Sequence, residues 1–324
     1  MASVQLAKSL MKRWQAFPPS PSTDAGELQE VFRHANFVNG TEAERKAIML
    51  QSSESKYRSE LAYPWDQYFG MDLSPLLQGK AVLDLGCFTG GRGVAWFERY
   101  KLNFLTGIDV KQVFIDAAKQ FAALKKIPAD YRVAQGEELP FEDNSMDAIL
   151  SFDVFEHVQN VQYTLGECHR VLKRGGKLFV VFPSYFHPTE HHLALATRLP
   201  CIHYLFSAET LVQAYYEIIE ERGEAANWYK RSSPQMEPWE RGNTINGTTL
   251  AQFRRLMREH DWKVVLHSKK PIGSIGRNAS KVRALALLSR PFRIASSIPG
   301  LCEMFLHRIT YILQKGGHNE VSPA

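Results

Sequence analysis

Val82 to Gly93 reads VLDLGCFTGGRG, an apolar run that ends in an acid and is followed at once by glycines. Ala81 to Leu85 has the length and apolar content of a parallel strand buried on both faces. Gly86 then permits a backbone conformation that a side chain would obstruct. Strand, tight turn and helix in that order make a cradle for a nucleotide-like cofactor, because backbone can approach a ligand where no Cβ stands in the way. Ordinary strand-turn-helix junctions also carry single glycine loops, so the continuation of the sequence decides the reading.

Three more pieces follow at the spacing of alternating strands and helices: GIDV at Gly107–Val110, AQGEELPFEDNSMDAILSFDVFEHV at Ala134–Val158, and HRVLKRGGKLFVVFPS at His169–Ser184. Asp109 closes the apolar run Phe104–Ile108, about two dozen residues after Asp84, a placement suited to accepting hydrogen bonds from both hydroxyls of a ribose. A dinucleotide fingerprint would read G-x-G-x-x-G and bring the loop against a pyrophosphate at a helix N-terminus. Here Asp84, Gly86 and Gly90 stand instead in the spacing D-x-G-x-x-x-G.

Together these four stretches resemble the class I S-adenosylmethionine-dependent methyltransferases. The resemblance covers residues 78–183 strongly and 248–315 weakly. It implies an α/β fold: a Rossmann-like doubly wound sheet of about seven strands, mostly parallel with the last strand antiparallel. To this the chain adds a helical N-terminal region and a cap insertion. The cofactor implied is S-adenosyl-L-methionine, with a site formed by Asp84, Gly86, Cys87, Gly90, Asp109, Val110, Gln135, Gly136, Glu137, Phe152 and Asp153. Its cationic sulfonium, its ammonium and its adenine amine call for acceptors, and Asp84, Asp109 and Gln135 are placed to supply them, Asp84 partly through the loop backbone or water. Two positions depart from the family pattern. Phe88 replaces the usual glycine and is expected to narrow the methionine end of the pocket. Ala134–Phe141 reads AQGEELPF where the family commonly has G-D-A-E-x-L-P-F, leaving the adenine contact to the amide oxygen of Gln135.

At 324 residues and 44% hydrophobic, the chain is long enough for one doubly wound domain of roughly 200 residues with additions of roughly 100. Four regions are expected: an N-terminal arm and helical lead-in (1–77), the cofactor half of the sheet (78–183), a substrate cap (184–247), and the C-terminal part of the methyltransferase domain with a basic apolar segment (248–324). Residues 1 to 26, basic and then rich in proline and serine (FPPSPST), read as a frayed or loosely docked arm. Thr41 and Glu44 have capping-box spacing. Strands are expected near 81–85, 104–108, 130–134, 147–152 and 177–182, with Gly175 and Gly176 ending the helix before the last of these. The next helix and strand are expected at TLAQFRRLMREHDWKVVL, Thr249–Leu266, and a final antiparallel strand at RITYIL, Arg308–Leu313, with apolar helical cover from Val282 to Phe305 before it.

Acceptor chemistry is sought in the cap, which begins SYFHPTEHHLALATRLPCIHYLFS at Ser184, because insertions at the carboxyl ends of parallel strands lie over the ligand crevice. Methyl transfer to oxygen needs in-line placement and a base for the hydroxyl proton. Histidine, with a pKa of ~6.5, suits that task, so His187 is the first candidate and His191 and His192 follow. A loop histidine before proline also serves as a local hydrogen-bonding group. His187 and His191 have i, i+4 spacing, a metal-ligand pattern, but Pro188 hinders a helix through both and the usual carboxylates are absent, so no metal is assigned. The aromatics Tyr57, Tyr63, Trp65, Tyr68, Trp228, Tyr229 and Trp239 suit either a lid around the donor methyl or ordinary packing. The resemblance implies that Asp153 and His157 border cofactor and acceptor, while Glu156 and His157 also suit organising the turn or capping the next helix.

The net charge is +5, yet eight basic residues and no acid lie between Asp261 and Glu303: Lys263, Lys269, Lys270, Arg277, Lys281, Arg283, Arg290 and Arg293. Interleaved with leucines, they suit peripheral membrane contact through 263–293, an anionic or carrier-linked substrate, or a solvated face. Nucleic acid ranks lower, since no RNA-binding module accompanies them. Four scattered cysteines, no secretory signal and no apolar run of ~20 residues point to the cytoplasm. The expected function is methylation, first of a hydroxyl oxygen on a small or carrier-linked molecule. N- or C-methylation, and a non-catalytic cofactor-binding protein on the same fold, are the alternatives.

Overall fold

The computed structural model describes residues 2–14, 41–188, 193, 196–221, 246–271, 294–295, 298 and 301–316. In chain order its main elements are α1 (Ala2–Arg13), α2 (Glu42–Ala62), β1 (Ala81–Leu85), α3 (Gly91–Tyr100), β2 (Phe104–Asp109), α4 (Gln112–Lys125) and β3 (Ala129–Val133). Then come β4 (Met146–Phe152), α5 (Val161–Val171), β5 (Leu172–Phe182), α6 (Ala208–Glu221), α7 (Leu250–Glu259), β6 (Trp262–Pro271) and β7 (Leu306–Lys315). The chain divides into two compact units: residues 53–184 with 248–324, and residues 1–52 with 185–247.

The larger unit holds a seven-stranded sheet in the order β3-β2-β1-β4-β5-β7-β6. β1 to β5 run parallel, and β7 inserts antiparallel between β5 and β6. This is the mostly parallel Rossmann-like sheet expected from the sequence, with an antiparallel hairpin at its C-terminal end. Central strands covered on both faces need apolar side chains on both. Accordingly Val82, Leu83 and Leu85 of β1, Ile149 and Leu150 of β4, and Leu178 to Phe182 of β5 are all buried. On one face Leu165 of α5 joins Leu250, Phe253 and Met257, an i, i+3, i+7 set on α7, over the strands. Thr249 caps α7, accepting from the Gln252 N–H while the Gln252 side chain accepts from the Thr249 N–H. Thr41 and Glu44 do the same at the start of α2, at 2.6 and 3.3 Å.

Another cluster forms around Trp65, which stacks on Trp96 at 4.8 Å and meets Phe69, Phe152 and Phe179. Trp65 is fully buried, so its area is used in packing rather than as an open lid. Trp228, Tyr229 and Trp239 lie outside the described residues.

Two expectations are corrected. Gly175 and Gly176 do not end a helix: α5 stops at Val171 and β5 starts at Leu172. Gly175, at φ 74°, falls inside β5, where pairing with β4 shifts register between Met146 and Ala148. The physical reason lies far along the chain, where Lys315 Nζ donates to the carbonyls of Arg170 (3.3 Å) and Leu172 (2.8 Å). That ammonium satisfies helix-end acceptors that a glycine motif would otherwise have served. Residues 2–13, expected as a frayed or loosely docked arm, are a regular helix packed on α6. Val4, Ala7 and Met11 of α1 pack with Leu211, Ala214, Tyr215 and Ile218 of α6, while Lys8 pairs with Glu217 (2.9 Å) and Glu221 (2.6 Å) and Lys12 with Glu221. The stretch FPPSPST lies outside the described residues.

Of the basic segment, Lys263, Lys269 and Lys270 belong to β6, the edge strand. Arg277, Lys281, Arg283, Arg290 and Arg293 lie outside the described residues, as does most of Val282–Phe305, whose end, Cys302–Phe305, forms one helical turn. Among the described residues no helix is long and apolar enough to cross a membrane.

Replacing Trp65 by alanine should lower unfolding free energy by about 3–5 kcal/mol, the usual cost of emptying a buried aromatic site. Denaturant unfolding measures this; a loss under 1 kcal/mol would show that the cluster collapses around the gap.

Candidate functional site

The turn from β1 into α3 is built by close approach. Gly86 (φ 74°) and Gly90 (φ 76°) both take left-handed backbone. A Cβ on Gly86 would stand 2.3 Å from Val154 Cγ2, and one on Gly90 2.7 Å from Ala118 Cβ. The N–H groups of Gly86 and Cys87 donate to the carbonyl of Ile108 at 2.9 and 2.8 Å, tying the loop to the end of β2. Cys87 is buried, and that burial pushes its thiol well up, so it is neutral.

Phe88 is the departure in this loop, with φ 49° at a residue that is not glycine. Its N–H donates to Asp109 Oδ2 at 3.0 Å, and the Lys111 N–H donates to Asp109 Oδ1 at 3.2 Å. Asp109 is thereby held at the tip of β2 with its carboxylate oriented by backbone. Withheld water raises its pKa to about 6, while the two N–H donors pull the other way.

Asp84 lies beneath the loop and is 3% exposed. Among the described residues its Oδ2 has no hydrogen-bond donor. Burial raises its pKa to about 7; the Arg92 guanidinium opposes this, and the charges of Asp109 and Glu60 add to it. Arg92, in the first turn of α3, lies 3.8 Å above the Phe152 ring and 3.6 Å from the Glu60 carboxylate. Glu60 is itself buried and accepts the Trp65 N–H at 2.7 Å.

Beside Asp109 opens a cleft of about 410 Å³ lined by Val110, Val133, Ala134, Gln135, Glu138, Leu139 and Pro140. It thus brings together Val110 and Gln135, two of the residues singled out in the sequence. Gly136 sits behind, where a Cβ would meet Thr164 Cγ2 at 3.1 Å. Glu137 is turned away, accepting the N–H groups of Gln159 (2.6 Å) and Asn160 (3.0 Å) ahead of α5. Asp153, also left-handed at φ 55°, pairs with Arg308 Nε at 3.1 Å.

His187 is buried in the smaller unit; His191 and His192 lie outside the described residues. The sequence reading passed over Arg92, Glu60 and Tyr131. The Tyr131 ring lies 2.5 Å from where a Cβ on Gly107 would stand, and its hydroxyl 3.2 Å from one on Gly90. A charged residue in the first turn after the glycine loop was the available signal for Arg92; Tyr131 reads as an ordinary strand residue.

A glycine cradle at the carboxyl ends of β1 and β2, with an acid under it, an acid beside it and a cleft next to the second acid, defines an α/β domain for an adenosine-type cofactor. Residues 83–180 match the family model described as "Methyltransferase domain", and this segment is a class I S-adenosylmethionine-dependent methyltransferase domain. Its cofactor is S-adenosyl-L-methionine. The residues present fit that cation, since among the described residues a buried Asp84 oxygen has no donor.

Similar curated proteins include ubiquinone biosynthesis O-methyltransferases. That of Coxiella burnetii is 33% identical over 103 residues, which are 32% of this chain and 43% of that protein. That of Xanthomonas oryzae pv. oryzae is 28% identical over 189 residues, 55% of this chain and 75% of that one. The chain thus spans less than half the length of the Coxiella relative. Among solved structures, an S-adenosylmethionine dependent methyltransferase from Mesorhizobium loti aligns with a TM-score of 0.46 at 14% identity, covering 74% of this chain and 93% of that one.

Asp84 binds its proton more tightly folded, at about 7, than unfolded, at 3.8. Its contribution to stability is therefore fully present below about pH 4 and is lost as pH rises through about 7. Asp84→Asn, which never has to ionise in the core, should gain on the wild type as pH is raised from about 5 to about 8. Melting temperatures of both proteins across that window test this, and a constant difference would refute it.

Proposed function

We propose that this protein transfers the methyl group of S-adenosyl-L-methionine to a hydroxyl oxygen of a small or carrier-linked molecule. The observation that carries the reading is the placement of Asp84, the Gly86–Gly90 cradle, Asp109 and the Gln135 cleft along three neighbouring strand ends. Asp109 would hold the ribose hydroxyls, Gln135 would accept from the adenine amine, and Asp84 would offset the positive charge of the methionine end. Bound there, the cofactor supplies an electrophilic methyl group on a sulfonium. The protein's part is then to orient the acceptor, exclude water and receive one proton.

Oxygen is the preferred acceptor atom because in-line placement and one base suffice for it, and the similar proteins named above are O-methyltransferases by name. His187 is the base we favour. Its burial supports a role other than solvation of a loop, and it follows β5 by only a few residues.

Calorimetric titration with S-adenosyl-L-methionine and, separately, with NAD tests the cofactor assignment. Binding of the first alone at micromolar affinity is expected, and binding of NAD instead would overturn the reading. Asp109→Ala should weaken S-adenosyl-L-methionine binding tenfold or more, since charged hydrogen bonds of about 1.5–3 kcal/mol are lost. With acceptors found by labelled-methyl screening of hydroxylated aromatics and sugars, His187→Ala should leave cofactor affinity unchanged and slow transfer by roughly 10²–10⁴-fold. Full activity in that variant would remove the base assignment.

A further inference from the structure

The structure assigns Phe88 and Phe114 to an aromatic clasp across the ribose-binding carboxylate, one that retards departure of the cofactor and its product; this inference rests on the methyltransferase reading above. The two rings meet edge to face, with centroids 4.4 Å apart and planes at 68°. Both belong to segments whose backbone holds one acid. Phe88 gives its N–H to Asp109 Oδ2 at 3.0 Å. Phe114 belongs to the first turn of α4, which begins just after Lys111, whose N–H reaches Asp109 Oδ1 at 3.2 Å. The ring contact therefore links the two segments whose backbone N–H groups hold that carboxylate.

Phe88 keeps its position against a backbone preference. An aromatic residue at φ 49° is uncommon, and glycine would make the same turn without strain. Strained backbone persists where surrounding structure over-determines it, and such positions cluster at ligand clamps. Phe114 is the over-determining partner: it is 5% exposed, and Lys111 Nζ lies 5.6 Å from its ring centroid. Phe88 is only half-buried, so solvent reaches part of the residue. Two consequences follow. The clasp shields the hydrogen bonds of Asp109 from water, and it must part before an adenosine bound there can leave. Packing alone would make no such demand, and a turn alone would be better served by glycine.

The test uses the full chain with S-adenosyl-L-methionine and S-adenosylhomocysteine as probes, following dissociation by stopped-flow tryptophan fluorescence and stability by thermal melting. Phe88→Gly should release S-adenosylhomocysteine roughly two- to tenfold faster, the range expected for losing an edge-to-face pair, while its melting temperature stays at or above that of the wild type. Phe88→Ala should show the same faster release but melt below Phe88→Gly, because alanine retains a Cβ at the strained φ. Phe114→Ala should match Phe88→Gly in release, and the double variant should be no faster than either single one.

Unchanged release in Phe88→Gly, with or without a lower melting temperature, would reduce the pair to packing and overturn the clasp. Additive acceleration in the double variant would also overturn it. Where Phe114→Ala fails to fold, Phe88→Gly and Phe88→Ala still decide the question. A wild type that binds neither probe would sink the methyltransferase reading and the clasp together, whereas a wild type that binds both with an indifferent Phe88→Gly would remove only the clasp.

Discussion

Between Leu85 and Gly91 the backbone passes so near Val154, Ala118 and the carbonyl of Ser53 that three of its positions have no room for a side chain. That approach fixes several things at once. β1 can end pointing into the loop, α3 can start directly from Gly90, and α4 can pack close enough for Ala118 to touch the turn. The N–H groups of Gly86 and Cys87 find the Ile108 carbonyl, so the ends of β1 and β2 are locked in register beyond their ladder. The two acids of the site, Asp84 on β1 and Asp109 on β2, then stand at neighbouring strand ends.

Gathering acids around a dry loop is costly, because burial disfavours every charged form. The protein offsets this unevenly. Asp109 receives two backbone N–H groups, Glu60 receives one from Trp65, and Arg92 lies between Glu60 and the Phe152 ring. Among the described residues Asp84 has only the field of Arg92 to oppose burial, which raises its pKa to about 7. A cation arriving beside Asp84 meets a carboxyl already placed and poorly satisfied, which is the electrostatic arrangement a sulfonium and ammonium would exploit.

Local pattern made much of the larger unit legible. The runs at 81–85, 104–108 and 147–152 are too apolar for a half-exposed strand, and each became a central parallel strand with both faces covered. RITYIL became the antiparallel strand beside β5. Misreading arose where a distant group took over a local task. Gly175 looks like a helix terminator, yet Lys315, far along the chain, caps the carbonyls at the end of α5. Residues 2–13 look polar enough to be loose, yet Glu217 and Glu221 neutralise Lys8 and Lys12 while α6 covers Val4, Ala7 and Met11.

The sequence by itself determined the sheet's class, the glycine turn after β1 and the acids at the strand ends, because strand burial, glycine spacing and an acid at a strand end are local properties. Tertiary structure alone decided which residues surround those acids. Arg92 over Phe152, Tyr131 beneath Gly107 and Phe114 against Phe88 are pairings between elements, and no periodicity along one element encodes its partner on another. The raised pKa values of Asp84 and Asp109 belong to the same class. Burial is a property of everything packed around a group, so it emerges only once strands and helices have closed over it.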